Sequence, residues 1–283
     1  MPSTATTRTI AGLTNGTAYT FRVAAVNGIG QGAWSSASNS VTPAVGNIIQ
    51  TTSGLYAWYD ASSASLYSAD TGGSLVTADG GGVRRLEDSS GNGRHLQTYG
   101  IGGPSSLVAA GQNGRNYLQM GPGNNPTNLR TAANRESGSF LVTNPMTVFA
   151  VWRPNTQFDT LIRNLEYSWG GNDWASAVRL YLDWGKPAFE TPTQSNWTGQ
   201  SIRNQQWFLM RATLNGTSSS LHVNGAYEAP MSGIADAAFT HPCGDIWLQG
   251  VFQVGELVFY TGALSSGTAS AIDSYLMNKW GIT

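Results

Sequence analysis

The chain has 283 residues, enough for one large domain and a small one. Only 11% of residues are charged, the net charge is −1, and lysine occurs only at Lys186 and Lys279, so the basic stripe that nucleic-acid binding needs is not visible. The single cysteine, Cys243, excludes an intrachain disulfide, and no apolar run approaches the ~18 residues that span a bilayer.

Met1 is followed by Pro2-Ser3-Thr4-Ala5-Thr6-Thr7, with neither a charged n-region nor an apolar h-region, so no export signal is expected here. The expectation is a piece of a longer chain or a protein released by cell lysis. Residues 7–10 read as a strand, and residues 19–27 alternate as a second one. Leu13, Gly16 and Tyr19 resemble the tyrosine corner of a fibronectin type III domain, and Phe21-Arg22-Val23 and Ala25-Val26-Asn27 resemble the strand after it. The resemblance covers about residues 4–43 and only the C-terminal half of that fold. Half a sandwich leaves an apolar face and open strand edges, so it implies either truncation or completion by another chain.

Residues 44–53 read as a linker and residues 54–283 as a second domain. Leu55-Tyr56-Ala57-Trp58-Tyr59-Asp60-Ala61 opens it, and Asp88-Ser89-Ser90-Gly91-Asn92-Gly93 forms a turn. Residues 146–153 and 177–184 read as strands. In the latter, Val178, Leu180 and Leu182 share one face and Arg179, Tyr181 and Asp183 the other. Asn215-Gly216 and Asn224-Gly225 predict tight hairpin turns, because both positions favour positive φ. Gly255-Glu256-Leu257-Val258-Phe259-Tyr260 reads as a core strand. Residues 265–280 read as a helix capped by Ser265 or Ser266, with Ile272, Tyr275, Leu276 and Lys279 at helical spacing.

This order of strands, turns and closing helix resembles the laminin-G-like and concanavalin A-like lectin superfamily over residues 54–282. The expected fold is all-β: an antiparallel jelly-roll (concanavalin A-like) β-sandwich with a C-terminal helix, preceded by a partial fibronectin type III β-sandwich. Animal relatives often carry disulfides, so the resemblance implies a bacterial or phage source.

Glycoside hydrolysis needs two carboxylates across a cleft. The hydrolase branch of the superfamily carries them as Glu-x-Asp-x-x-Glu on one strand, and no such run occurs. Glu256 has no carboxylate two or four residues away, and Glu87-Asp88 falls in a turn. His241-Pro242-Cys243 reads as a turn, not a nucleophile with its base. No cofactor is expected. The resemblance makes calcium an alternative, with oxygens from Asp88, Asn92, Asp173 and Asp183, although turn roles explain these residues as well.

The aromatic distribution carries the main signal. Five of the ten tryptophans lie between residues 169 and 207. Trp184 and Trp207 read as strand residues that pack the sandwich. Trp169, Trp174 and Trp197 fall in two polar loops, residues 169–174 and 196–199, beside Asn172, Asp173 and Asn196. Rings there suit the C–H faces of sugars, and the amides and carboxylate suit hydroxyls. These six residues are the candidate ligand-binding site.

The resemblance implies a non-catalytic attachment or surface-decoration module of a phage particle, localised to the virion surface. Its expected partners are host-surface polysaccharide or glycan and other virion subunits, one of which would complete the partial module. A homo-oligomer is expected, with no nucleic acid and no membrane insertion. The alternatives are an accessory carbohydrate-binding fragment of a bacterial extracellular adhesin or polysaccharide-degrading enzyme, and a purely structural virion protein.

Overall fold

The computed structural model describes residue 10 and residues 17–41, 47–98, 104–121, 127–131, 140–143, 145–156, 160–163, 179–191, 194–197, 205–230, 240–243 and 246–283. These fall into two units, Met1–Thr51 and Thr52–Thr283.

In the first unit, β1 (Val26–Asn27) and β2 (Gly30–Gln31) form a hairpin, and α1 (Ile48–Thr51) follows. The Asn27 Oδ1 accepts from the N–H groups of Ile29 and Gly30 and fixes the turn. The alternating residues 19–27 do not make one continuous strand. Tyr19 and Val41 exchange both backbone bonds at 2.9 Å, but Phe21 N–H donates to Ser38 Oγ and Val23 N–H to Ser35 Oγ. Serine hydroxyls thus replace carbonyls in the ladder and interrupt it. Leu13 and Gly16 of the tyrosine corner lie outside the described residues. Val23, Val26, Ile29, Trp34 and Val41 are all exposed, Ile29 almost fully at 99%.

The second unit begins with β3 (Leu55–Asp60), β4 (Leu66–Ala69), β5 (Gly72–Leu75), β6 (Gly82–Val83) and β7 (Arg85–Leu86). Next come β8 (Leu96–Thr98), β9 (Ser105–Val108), β10 (Tyr117–Gln119), β11 (Thr127–Thr131), β12 (Phe140–Thr143) and β13 (Met146–Pro154). Then follow β14 (Thr160–Arg163), β15 (Arg179–Asp183), β16 (Lys186–Thr191), β17 (Gln194–Trp197) and β18 (Phe208–Leu214). The last strands are β19 (Ser220–Val223), β20 (Ala226–Pro230), β21 (Thr240–Cys243), β22 (Trp247–Gly250) and β23 (Phe252–Thr261), and α2 (Ser266–Trp280) closes the unit.

Among the described residues these strands form two large antiparallel sheets and the separate pair β12-β21. One runs β20-β19-β18-β13-β23-β10-β9-β6, with β3 also paired to β23. The other runs β17-β16-β15-β14-β22-β11-β8-β7-β4-β5. Their inner faces meet in one core. Val148, Trp152, Met210, Val254 and Phe259 come from the first sheet, and Leu86, Leu129, Leu180, Leu182 and Leu248 from the second. Fully burying each such side chain contributes about 1.5–3 kcal/mol.

β13 and β23 do not alternate apolar and polar residues, and the packing explains it. Their inner faces meet the second sheet, and helix α2 packs across the outer face of β13 and β18. A strand covered on both sides has no solvent face to mark with polar residues. Helix α2 is set by its ends: Ser265 caps it through a bond from Thr268 N–H, and Gly281 closes it in the left-handed region at φ 62.

The sequence expectations need three local corrections. Asn215-Gly216 is no two-residue hairpin turn. It opens a longer loop between β18 and β19, held by Ser219 Oγ, which accepts from Asn215 N–H and donates to the Gly216 carbonyl. His241-Pro242-Cys243 is in a strand, β21, which among the described residues pairs only with β12, where a proline without an N–H is tolerated. Trp184 lies in a turn, outside any strand, and is exposed where core packing is expected.

Candidate functional site

Trp169, Asn172, Asp173 and Trp174 lie outside the described residues. Asn196 and Trp197, expected in a loop, are instead the last two residues of strand β17, because their backbones pair with Phe189 and Ala188 of β16. Two further places in the sandwich concentrate side-chain chemistry.

The first is the turn between β15 and β16. Asp183 pairs with Lys186, so only Trp184 and Gly185 form the loop, with φ 50 and 75. The matching turn between β19 and β20 uses Asn224 and Gly225 with φ 48 and 75. Asn-Gly suits such a turn because asparagine tolerates the left-handed region. Tryptophan does not, and a bulky residue at positive φ is strained. Trp184 is also 62% exposed, so core packing does not repay that strain. The β16–β17 register places Trp197, opposite Ala188, toward this same end of the strands. Sequence reading missed Trp184 because Leu180 and Leu182 extend a strand pattern up to it. The signal that could have found it is Gly185 between two strand patterns.

The second place lies under helix α2. Glu256 on β23 pairs with Asp60 on β3. Lys279 Nζ bridges the two carboxylates at 2.7 Å from each. Trp58 Nε1 donates to Glu256 Oε1 at 2.8 Å, and Trp280 Nε1 to Oε2 at 2.9 Å. Burial pushes the Glu256 carboxyl above its ordinary range, and the Asp60 charge adds to this against the pull of Lys279. Burial alone would lower the Lys279 ammonium, but the two carboxylates outweigh it and hold it above its usual value. A bulge places Glu256 here: Val151 faces Glu256 and Trp152 faces Val254, which leaves Gly255 as the extra residue. A second anchor, Arg211 to Asp273 at 3.0 Å, fixes the same helix.

A carboxylate pair therefore exists, across strands rather than along one. Both of its members are buried, and the oxygens that would serve an acid and a base are filled by an ammonium and two indoles. The arrangement bolts the helix to the sheet.

The calcium expectation also changes at Asp88. Its carboxylate accepts from the N–H groups of Trp58, Ser90 and Arg94, at 2.9–3.0 Å. The Asn92 amide donates to the Leu55 and Tyr56 carbonyls. Both residues hold the turn against β3, and among the described residues no group of three His, Cys, Asp or Glu could hold a metal. Asp173 and the Asp183 side chain lie outside what is described.

Residues 1–41 match the family model of the fibronectin type III domain. No curated protein matches the sequence. Among solved structures, the chain is similar to a GH54 α-L-arabinofuranosidase soaked with a cyclic sulfate inhibitor, at 15% identity and TM-score 0.51, covering 70% of this chain and 51% of that one. It is similar to the binding domain of Paraclostridial Mosquitocidal Protein 1 at 16% identity and TM-score 0.50, with 70% and 51% covered. It also matches the botulinum neurotoxin serotype D binding domain at 13% identity and TM-score 0.48, with 68% and 48% covered. The chain spans about half the length of these solved chains. The likeness is one of fold, an antiparallel β-sandwich.

Proposed function

We propose that the chain is a non-catalytic recognition module whose sandwich contacts a glycan through the β15–β16 hairpin tip and β17. The observation that carries this reading is Trp184, strained at φ 50 and 62% exposed where Asn-Gly would serve folding better. An exposed indole offers a flat apolar face for sugar C–H groups. Binding residues commonly sit on loops held by a rigid scaffold. Trp169, Trp174 and Trp197 extend the proposed surface on the sequence argument. A solved binding domain with the same fold agrees with a recognition role.

The finer reading is a laminin-G-like module on the surface of a phage particle, attached to host-surface polysaccharide. Its support is the resemblance of the Trp58-Tyr59-Asp60-Ala61 strand and the turn from Asp88 to Gly93. The absent disulfide and low lysine content agree with it.

The test is a glycan array probed with the wild-type chain, Trp184→Ala and Trp197→Ala, together with reducing-sugar assays on the glycans bound. The proposal expects binding by the wild type, weakened in both variants, and no sugar release. Turnover, or binding unchanged in stable variants, contradicts it.

A further inference from the structure

The cross-strand register of the ten-stranded sheet aligns residues that are scattered in the sequence. On five neighbouring strands a leucine enters the core beside a residue on the opposite face: Leu66 beside Tyr67, Leu86 beside Arg85, Leu96 beside Gln97, Leu129 beside Arg130 and Leu248 beside Trp247. The outer residues pair in order. Tyr67 faces Arg85, Arg85 faces Gln97, Gln97 faces Arg130, and Arg130 faces Trp247. All five are half-buried, so each keeps part of its surface in solvent. The ladder continues through the backbone positions of Arg163, Arg179 and Glu190.

We propose that this face binds an extended acidic glycan, a carboxylate-bearing polysaccharide laid across the strands. The Arg85 guanidinium already donates to both Glu87 carboxylate oxygens. Neighbouring strands lie about 4.8 Å apart, so Arg130 and Arg163, two strands apart, stand about 10 Å apart. That is close to the length of a disaccharide, so these two arginines suit carboxylates on alternate sugars. Tyr67 and Trp247 supply aromatic surface on the same face, and Gln97 an amide for hydroxyls. Guanidinium is the side chain best shaped for carboxylate.

The acidic residues argue for a sparsely charged ligand rather than a nucleic acid. Arg85 already pairs with Glu87 at 2.9 Å, and Glu190 sits within the ladder. The chain as a whole is at −1. A ligand with a charge at every residue would need a stronger field. The surface is separate from the Trp184 hairpin, and the proposal does not depend on that reading.

The experiment uses the whole chain and measures binding to hyaluronan, which carries a carboxylate on alternate sugars, to a neutral β-glucan and to a single-stranded oligonucleotide, at low and at physiological salt. Hyaluronan should bind most tightly and weaken as salt rises. Arg130→Gln and Arg163→Gln should each weaken it about three- to fivefold, the scale of an exposed ion pair. Arg22→Gln, an exposed arginine of the first unit, should leave it unchanged. Equal binding of the neutral glucan, tighter binding of the oligonucleotide, or unchanged affinity in both ladder variants overturns the proposal. Salt dependence is read on the wild type, so salt-independent binding overturns it even where a variant folds poorly.

Discussion

The indole of Trp280 occupies the space in which a side chain on Gly255 would stand: a Cβ there would lie 2.9 Å from its Cη2 and Cζ2. Trp280 is fully buried, stacks on Trp207 at 5.8 Å and donates to Glu256. The missing side chain at the bulge is thus what lets helix α2 close on the sheet. Gly255→Ala should destabilise the protein by about 1–3 kcal/mol through overpacking. Chemical denaturation measures this, and a change within 0.5 kcal/mol, the scale of an unremarkable surface substitution, would show that the helix gives way without cost.

Lys279 binds the same place from the other side. Removing its ammonium leaves Asp60 and Glu256 facing each other with no counter-charge. Lys279→Met should cost about 3–5 kcal/mol, the scale for breaking a buried pair. Adding Glu256→Gln to Lys279→Met should cost less than the sum of the two single changes, since the residues share one network. A double-mutant cycle in urea reads the coupling, and strict additivity would contradict it.

His222 gives the sandwich a pH-dependent term. It lies across from Arg211 and meets the Tyr227 ring edge-on at 5.4 Å. Burial and then the Arg211 charge lower its pKa from 6.5 to about 4. Between those values the unfolded chain takes up a proton that the folded one refuses, so this contribution to stability is lost as pH falls from 6.5 towards 4. Burial lowers His95 in the same direction. Glu256 and Asp273 are raised, so their contribution is lost as pH rises, the opposite sense. The diagnostic is therefore the difference between proteins: the melting temperature of His222→Gln should fall less between pH 6.5 and 4 than that of the wild type. Parallel curves would show that His222 titrates normally in the fold.

Features set by local chemistry were readable in the sequence. Ser265 caps α2 as its position suggests, Asn224-Gly225 turns with positive φ, and Leu180 and Leu182 enter the core as their alternation indicates. Features made by register were not. Asp60 and Glu256 belong to strands far apart in the chain, and only the pairing of β3 with β23 makes them neighbours. Lys279 reads as an ordinary cation in the last turn of a helix until the bulge at Gly255 brings Glu256 beneath it. The arginine ladder shows no sequence run because each member sits on its own strand. Trp184 was hidden by the strand pattern that leads into it. Of the six candidate contact residues, Asn196 and Trp197 are placed by backbone register on β17, and the other four lie outside the described residues.

Trp184→Asn tests most directly whether Trp184 serves contact at the expense of its turn. Asparagine accepts the left-handed backbone, so the variant should gain on the order of 1 kcal/mol of stability. It also loses the indole face, so glycan binding should weaken by up to roughly tenfold, as an aromatic contact of about 0.5–1.5 kcal/mol implies. Stability and binding should therefore move in opposite directions in one variant. A less stable variant, or a more stable one that binds as the wild type does, would contradict the account.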